Sequence, residues 1–228
     1  MCGYWNEQAR WVEAERVMKR LVDRCLEAGV SFITGKRGTV TSLVQSDGKI
    51  VGLKVNTGET IHCSRVILAT GAWTSQILDL KGAAISTAQP VGLIQLTPNE
   101  ATDLAKQPVV FDINSGVFVF PPSTDNFLKV MRHGYGYETT LAPGGKVNFS
   151  QSTSGPNVLS SSATSDFIPD EADASLREAL SLLLPRFQNR LWKKRRLCWY
   201  SDTRDANFII DHHPTISNLF LATGGSGQ

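Results

Sequence analysis

A chain of 228 residues holds one large domain or two small interlocked ones, at roughly 150 residues per domain, and 41% hydrophobic residues with 19 glycines supply an ordinary globular core. Against 21 Asp and Glu, 23 Lys and Arg leave a net charge of +2, which excludes the electrostatic footprint of a nucleic-acid or acidic-membrane binder. With no run of about 18 apolar residues, and no secretory signal in Met1-Cys2-Gly3-Tyr4-Trp5-Asn6, a soluble intracellular protein is expected, cytoplasmic or peroxisomal.

From Ala9 to Glu27 the apolar residues Trp11, Ala14, Met18, Leu21, Val22 and Cys25 recur at three and four, which predicts an amphipathic helix stopped by Gly29. Val30-Ser31-Phe32-Ile33, Thr39 to Val44 and Ile50 to Val55, punctuated by Ser46-Asp47-Gly48 and Asn56-Thr57-Gly58, predict a small antiparallel meander. The apolar run Val66-Ile67-Leu68-Ala69 ends in Thr70-Gly71-Ala72-Trp73 before a helix-like stretch at Ser75 to Leu80. It has the texture of a buried parallel strand feeding a ligand loop.

The middle of the chain predicts an antiparallel sheet from Ile85 to Leu96, Gly116 to Phe120 and Phe127 to His133. A flexible Ser/Thr/Gly-rich loop follows at Ser150 to Ser165, then a second helix from Glu171 to Leu184. The texture of the first part returns in Cys198 to Tyr200, Phe208 to Ile210 and Leu219 to Gly227. Val66 to Ala69 and Leu219 to Ala222 each end in Ala-Thr-Gly, so one sheet is expected to hold both, with the middle region inserted between them.

Glycine directly after a buried strand lets backbone approach a ligand closely, and two such ends point to a nucleotide cofactor. Alternation puts Phe127, Lys129, Met131 and His133 on one strand face, so Lys129 and His133 either line a cavity floor or stand as solvated surface residues. Lys193-Lys194-Arg195-Arg196 has the pattern of a solvated basic patch. His212-His213-Pro214 fits turn chemistry. Cys2, Cys25, Cys63 and Cys198 are scattered, without CxxC or ligand-spaced histidine, so neither a metal site nor a disulfide framework is expected.

The late stretch Cys198-Trp199-Tyr200-Ser201-Asp202-Thr203, with Asp205 to Asp211, His213-Pro214 and Asn218 to Gly227, resembles the C-terminal signature of the FAD-dependent amine oxidases. These are monomeric sarcosine oxidase, pipecolate and saccharopine oxidases, and the fungal fructosyl amino acid oxidases or amadoriases. Gly3-Tyr4-Trp5-Asn6 with Trp11, and Leu68-Ala69-Thr70-Gly71-Ala72-Trp73-Thr74, are similar to earlier landmarks in the same order. The resemblance implies an α/β fold: part of a FAD-binding Rossmann-like domain, without its first βαβ unit, carrying an inserted antiparallel substrate domain. Residues 1–82 and 191–228 are expected in the former and 83–190 in the latter.

It further implies that Cys198 carries the flavin as a thioether and that Tyr200 lines the substrate cavity. A thiolate there would be favoured by the nearby Arg195 and Arg196. Lys129 would face dioxygen above the flavin and His133 would shape the amine site. Val40, Thr70, Gly71, Trp73, Gly224, Gly225, Ser226 and Gly227 would contact the nucleotide or flavin. The implied reaction oxidises the C–N bond of a secondary amine or amino acid derivative, of fructosyl amino acid, saccharopine, pipecolate or sarcosine type, to an imine. Dioxygen becomes hydrogen peroxide, and FAD carries the redox chemistry. The partners are then a small amine and dioxygen, with no nucleic acid and no membrane, and a monomer is expected.

The family pattern opens with GxGxxG for the pyrophosphate and continues past Ser226-Gly227 with His-Gly-Phe-Lys, and these 228 residues contain neither. The central and late part of such a flavoenzyme is therefore expected. Two readings stand: an amine oxidase, or a catalytically inactive remnant or interaction module that binds no FAD.

Overall fold

The computed structural model describes residues 3–138 and 167–226. Cys2, Gly227, Gln228 and the expected loop at 150–165 lie outside the described residues. In chain order the elements are α1 (Ala14–Glu27), β1 (Val40–Ser46), β2 (Lys49–Val55), β3 (Thr60–His62), β4 (Val66–Leu68), α2 (Thr74–Ile77), β5 (Ala84–Gln95) and α3 (Pro98–Leu104). They continue as β6 (Val110–Asp112), β7 (Val117–Val119), β8 (Phe127–Arg132), α4 (Asp170–Leu183), β9 (Lys194–Thr203), β10 (Ile209–His212) and β11 (Leu219–Thr223).

The chain divides into two units, and β5 and β9 each carry residues of both. The first comprises Met1–Ser31, Pro90–His133 and Ile168–Arg196; the second comprises Phe32–Gln89, Gly134–Phe167 and Leu197–Gln228. This division groups the α1 segment with the inserted sheet, where the sequence expectation grouped residues 1–82 together.

The first unit is built on a sheet of order β6-β7-β8-β5-β9. Period-two alternation gives it one closed face, where Ile94, Val117, Val119, Leu128 and Val130 are almost wholly buried. Helix α4 covers that face with Leu176 and Leu180, themselves fully buried, and Glu171 on α4 accepts two hydrogen bonds from Arg132 at 2.5 and 2.9 Å. Gly92 is required where β5 passes under the Trp192 ring, because a Cβ there would lie 2.6 Å from it.

Helix α1 begins at Ala14 rather than at the expected Ala9. The Glu13 carboxylate accepts the Thr124 N–H at 2.7 Å and its hydroxyl at 3.1 Å, which fixes the chain just before the first turn. None of the residues of α1 is buried. Sequence reading missed α3, although Thr97-Pro98-Asn99-Glu100 carries a full capping box with proline in the first turn. It also missed the three-residue strands β3 and β6, too short for a periodicity to register. The basic run is corrected in part: Lys194 to Arg196 open β9, and Arg195 lies 3.6 Å from Asp173.

In the second unit β1, β2 and β3 form the expected antiparallel meander, turned at Asp47 and Gly48, whose positive φ values of 49° and 72° suit a tight hairpin. Val30 to Ile33 is not its first strand: these residues find no ladder among the described residues, and Val30, Phe32 and Ile33 are about half exposed. Strands β4 and β11 run side by side in parallel, with β10 antiparallel on the far edge. The two Ala-Thr-Gly strands thus share one sheet, as expected. Ile50, Val66, Leu68, Leu78, Leu219 and Leu221 close the core beneath them. Ile67 on the edge strand is 64% exposed, against the expectation of a fully buried strand.

Candidate functional site

The register Leu219↔Val66, Phe220↔Ile67 and Leu221↔Leu68 makes both Ala-Thr-Gly ends leave the sheet at the same edge. Hydroxyl groups tie them together. Thr74 Oγ1 lies 2.7 Å from the Gly71 carbonyl, 3.0 Å from Thr70 Oγ1 and 3.2 Å from Thr223 Oγ1, and Thr223 Oγ1 lies 3.3 Å from Ser201 Oγ. Each hydroxyl has one proton to give. Thr74 gives its proton to the Gly71 carbonyl, so it accepts from Thr70 and Thr223, and Thr223 in turn accepts from Ser201. A directed chain therefore runs from Ser201 through Thr223 and Thr74 to the backbone of the first turn. Thr74, Thr223 and Ser201 are all buried. The Ser201 backbone is fastened as well: its N–H donates to the Gly225 carbonyl at 2.9 Å, and the Ser226 hydroxyl donates to its carbonyl at 3.2 Å.

Ser201 lies on β9 with Cys198 and Tyr200, so the network connects the strand of the candidate flavin cysteine to both glycine turns. Cys198 and Tyr200 are half-buried. Burial, and then the negative charge of Cys198 and Asp202, push the Tyr200 phenol up to about 12. Asp202 accepts a hydrogen bond from the buried Thr87 hydroxyl. Gln89 accepts from the Gly134 N–H and donates to its carbonyl, both at 3.1 Å, in the manner of a strand neighbour. Val40 is half-buried at the start of β1, and Trp73 is 44% exposed.

A flat cofactor such as a flavin nucleotide needs bare backbone and unspent donors. Gly71 has a φ of +50° with nothing within 4 Å of where a Cβ would stand, and Gly225 has only a Phe208 ring atom at 3.9 Å. Gly224 serves the turn itself, its φ of +83° and 3.0 Å approaches to Asn207, Ile209 and Thr203 admitting no side chain. Beside Cys198, the buried Trp199 Nε1 has no acceptor among the described residues. These features fit FAD. Gly227 lies outside the described residues.

Lys129 and His133 belong to the first unit. Lys129 is half-buried on β8, its ammonium 4.5 Å from the centre of the Phe120 ring. His133 is exposed and follows the end of β8, its N–H donating to the Gly116 carbonyl at 2.8 Å. The four-residue alternation is therefore shortened to Phe127, Lys129 and Met131. The first unit also holds a cavity of about 1260 Å³, lined by Trp5, Trp11, Lys106, Phe111, Glu178 and Leu182 among others, and none of the predicted site residues reaches it. Sequence reading missed Thr74, Ser201 and Thr223 as members of the site. The repeated Ala-Thr-Gly signalled Thr223; nothing local signalled the other two. Among the described residues no helix is long and apolar enough to cross a membrane, and no group of three or more His, Cys, Asp or Glu could hold a metal ion.

The profile of the FAD dependent oxidoreductase family matches residues 1–228. The chain belongs to this family. L-saccharopine oxidase of Schizosaccharomyces pombe is 28% identical over 232 residues, covering 98% of this chain and 52% of that protein. An amino acid oxidase of Aspergillus fumigatus is 27% identical over 270 residues, with 98% and 54% covered. Fructosyl amine:oxygen oxidoreductase (amadoriase I) from Aspergillus fumigatus superposes with a TM-score of 0.84 at 32% identity, over 96% of this chain and 48% of that one. The chain spans about half the length of the relatives it matches. The α/β class, the antiparallel sheets and the amine-oxidase resemblance expected from sequence are all borne out.

Proposed function

We propose that this polypeptide serves a FAD-dependent amine oxidase, oxidising the C–N bond of a secondary amine or amino acid derivative to an imine while dioxygen becomes hydrogen peroxide. The observation that carries the reading is the hydroxyl chain joining both glycine turns to the strand of Cys198 and Tyr200, in a chain similar to saccharopine oxidase and amadoriase I. The second unit corresponds to the flavin-holding part and the inserted sheet of the first to the substrate part. Bound there, FAD would supply the two-electron acceptor that no amino acid side chain offers.

Cys198 is the attachment point for the flavin, while Thr70, Gly71, Trp73, Val40 and Gly224 to Gly227 border it. Tyr200 keeps its proton throughout the neutral range and presents a hydroxyl to the amine side. Lys129 holds a positive charge where dioxygen gains electrons, and His133 shapes the amine pocket. The amine reacts in its neutral form, so turnover rises with pH. A monomer acting on a small amine is the expected state.

The test is a visible spectrum of the purified chain after incubation with FAD, then acid precipitation. Flavin that stays with the protein and is lost in C198A supports the reading and directs a peroxide screen over secondary amines. A colourless protein with a folded circular dichroism spectrum supports the module that binds no flavin.

A further inference from the structure

We propose that Phe120 is a positioning residue for Lys129: its ring seats the lysine ammonium, and Phe118 and Trp11 hold the ring. The inference rests on the reading of Lys129 as the cation that dioxygen meets. Strands β7 and β8 pair with Phe118 opposite Met131 and Val119 opposite Val130, and the Phe120 N–H donates to the Lys129 carbonyl at 3.1 Å. Phe120 and Lys129 therefore face each other across the ladder. Their side is decided by their neighbours, since Val119 and Val130 are 1% and 0% exposed on the face beneath α4.

A lysine side chain is a flexible four-carbon stem with a compact charge, and left to itself it spreads over many rotamers. A ring face at 4.5 Å restrains it by attraction between the charge and the π-electrons, without an acidic partner that would neutralise the charge. The seat is itself fixed. Phe118 lies 6.0 Å from Phe120 at an interplanar angle of 20°, and Phe111 stacks on Phe118 at 4.1 Å and 13°. On another side Trp11 meets Phe120 edge-on at 6.4 Å. Trp11 is held in turn because Glu13, two residues on, is bound through its carboxylate to Thr124 in the turn that follows Phe120.

The first readout needs no flavin. In the intact chain with labelled lysine, the ε-methylene protons of Lys129, assigned by their loss in K129R, resonate upfield of the other lysines because of the ring current. F120L moves them into the bulk envelope and F120W returns them upfield. An unchanged Lys129 resonance in F120L overturns the proposal. W11L leaves the seat chemically intact, removes its edge-on support and shifts the same protons partway; it serves if F120L fails to fold.

The second readout is reoxidation of the FAD-loaded, photoreduced chain by dioxygen. F120L slows it roughly two- to thirty-fold, the range that corresponds to a single cation–π contact, with FAD affinity unchanged and with recovery in F120W. If K129M slows reoxidation and F120L does not, the positioning role is overturned while the role of Lys129 stands. If K129M leaves reoxidation unchanged, the reading of Lys129 fails and this inference with it.

Discussion

Replacing Thr223 by valine keeps the shape of the side chain and removes one hydroxyl from the middle of the chain that runs from Ser201 to Gly71. Two hydrogen bonds are lost: the one Thr223 gives to Thr74 at 3.2 Å and the one it takes from Ser201 at 3.3 Å. Thr74 keeps its bonds to the Gly71 carbonyl and Thr70, whereas the Ser201 hydroxyl, on a residue only 3% exposed, is left as a buried donor. A net hydrogen bond contributes about 1 kcal/mol and an orphaned buried donor costs about 1–3 kcal/mol, so T223V should lose about 2 kcal/mol. With an m-value of about 2 kcal/mol/M that is a fall of about 1 M in the urea midpoint, read by circular dichroism and tryptophan fluorescence. Adding S201A removes the orphan, so the double variant should be no less stable than T223V alone. A T223V midpoint within about 0.25 M of the parent, or a double variant showing the full sum of the two single losses, refutes the directed chain.

Two further outcomes follow from charge. Hydrogen bonds from Arg190, and then from the Thr97 N–H, hold the Glu100 carboxyl down at about 2, below its usual 4.5. Its folded value lies below its unfolded one, so the stabilisation is present above pH 4.5 and disappears as pH falls toward 2. E100Q should therefore flatten that part of the acid unfolding curve, and an unchanged acid limb would count against the pairing. Tyr200 has the opposite sense. Its phenol loses a proton near 10 in the unfolded chain and near 12 in the folded one, so stability should fall as pH rises between those values. In Y200F that loss should be absent, together with the latest step in the phenolate absorbance titration. Persistence of that step in the variant would assign it to another tyrosine.

The meander, the long strand β5, helix α4 and the two Ala-Thr-Gly strands were legible because each writes its burial into a local period or a bounding turn. Pairing of the two Ala-Thr-Gly ends was legible for a different reason: two short apolar runs with the same ending, separated by a region of different texture, have few other places to go. Helix α3 was legible in principle through its capping box and was missed because its seven residues carry too little apolar period. Val30 to Ile33 looked like a strand because β-branched residues satisfy the strand pattern, but a strand exists only where a neighbour supplies the ladder, and none does among the described residues.

The roles of individual residues divide along the same line. Cys198, Tyr200, Lys129 and the glycine turns could be named from spacing and family resemblance, since those signals lie within a few consecutive residues. Thr74 and Ser201 could not, because they stand 149 and 22 residues from Thr223 in the chain. Only the parallel pairing of β4 with β11 and the return of β9 bring them within reach. The same holds for Phe120 and Lys129, nine positions apart in sequence, which β-ladder register sets face to face. Local pattern determined which elements form and which chemical groups the chain carries; burial of one sheet face and strand register, which depend on residues far apart, decided which of those groups meet.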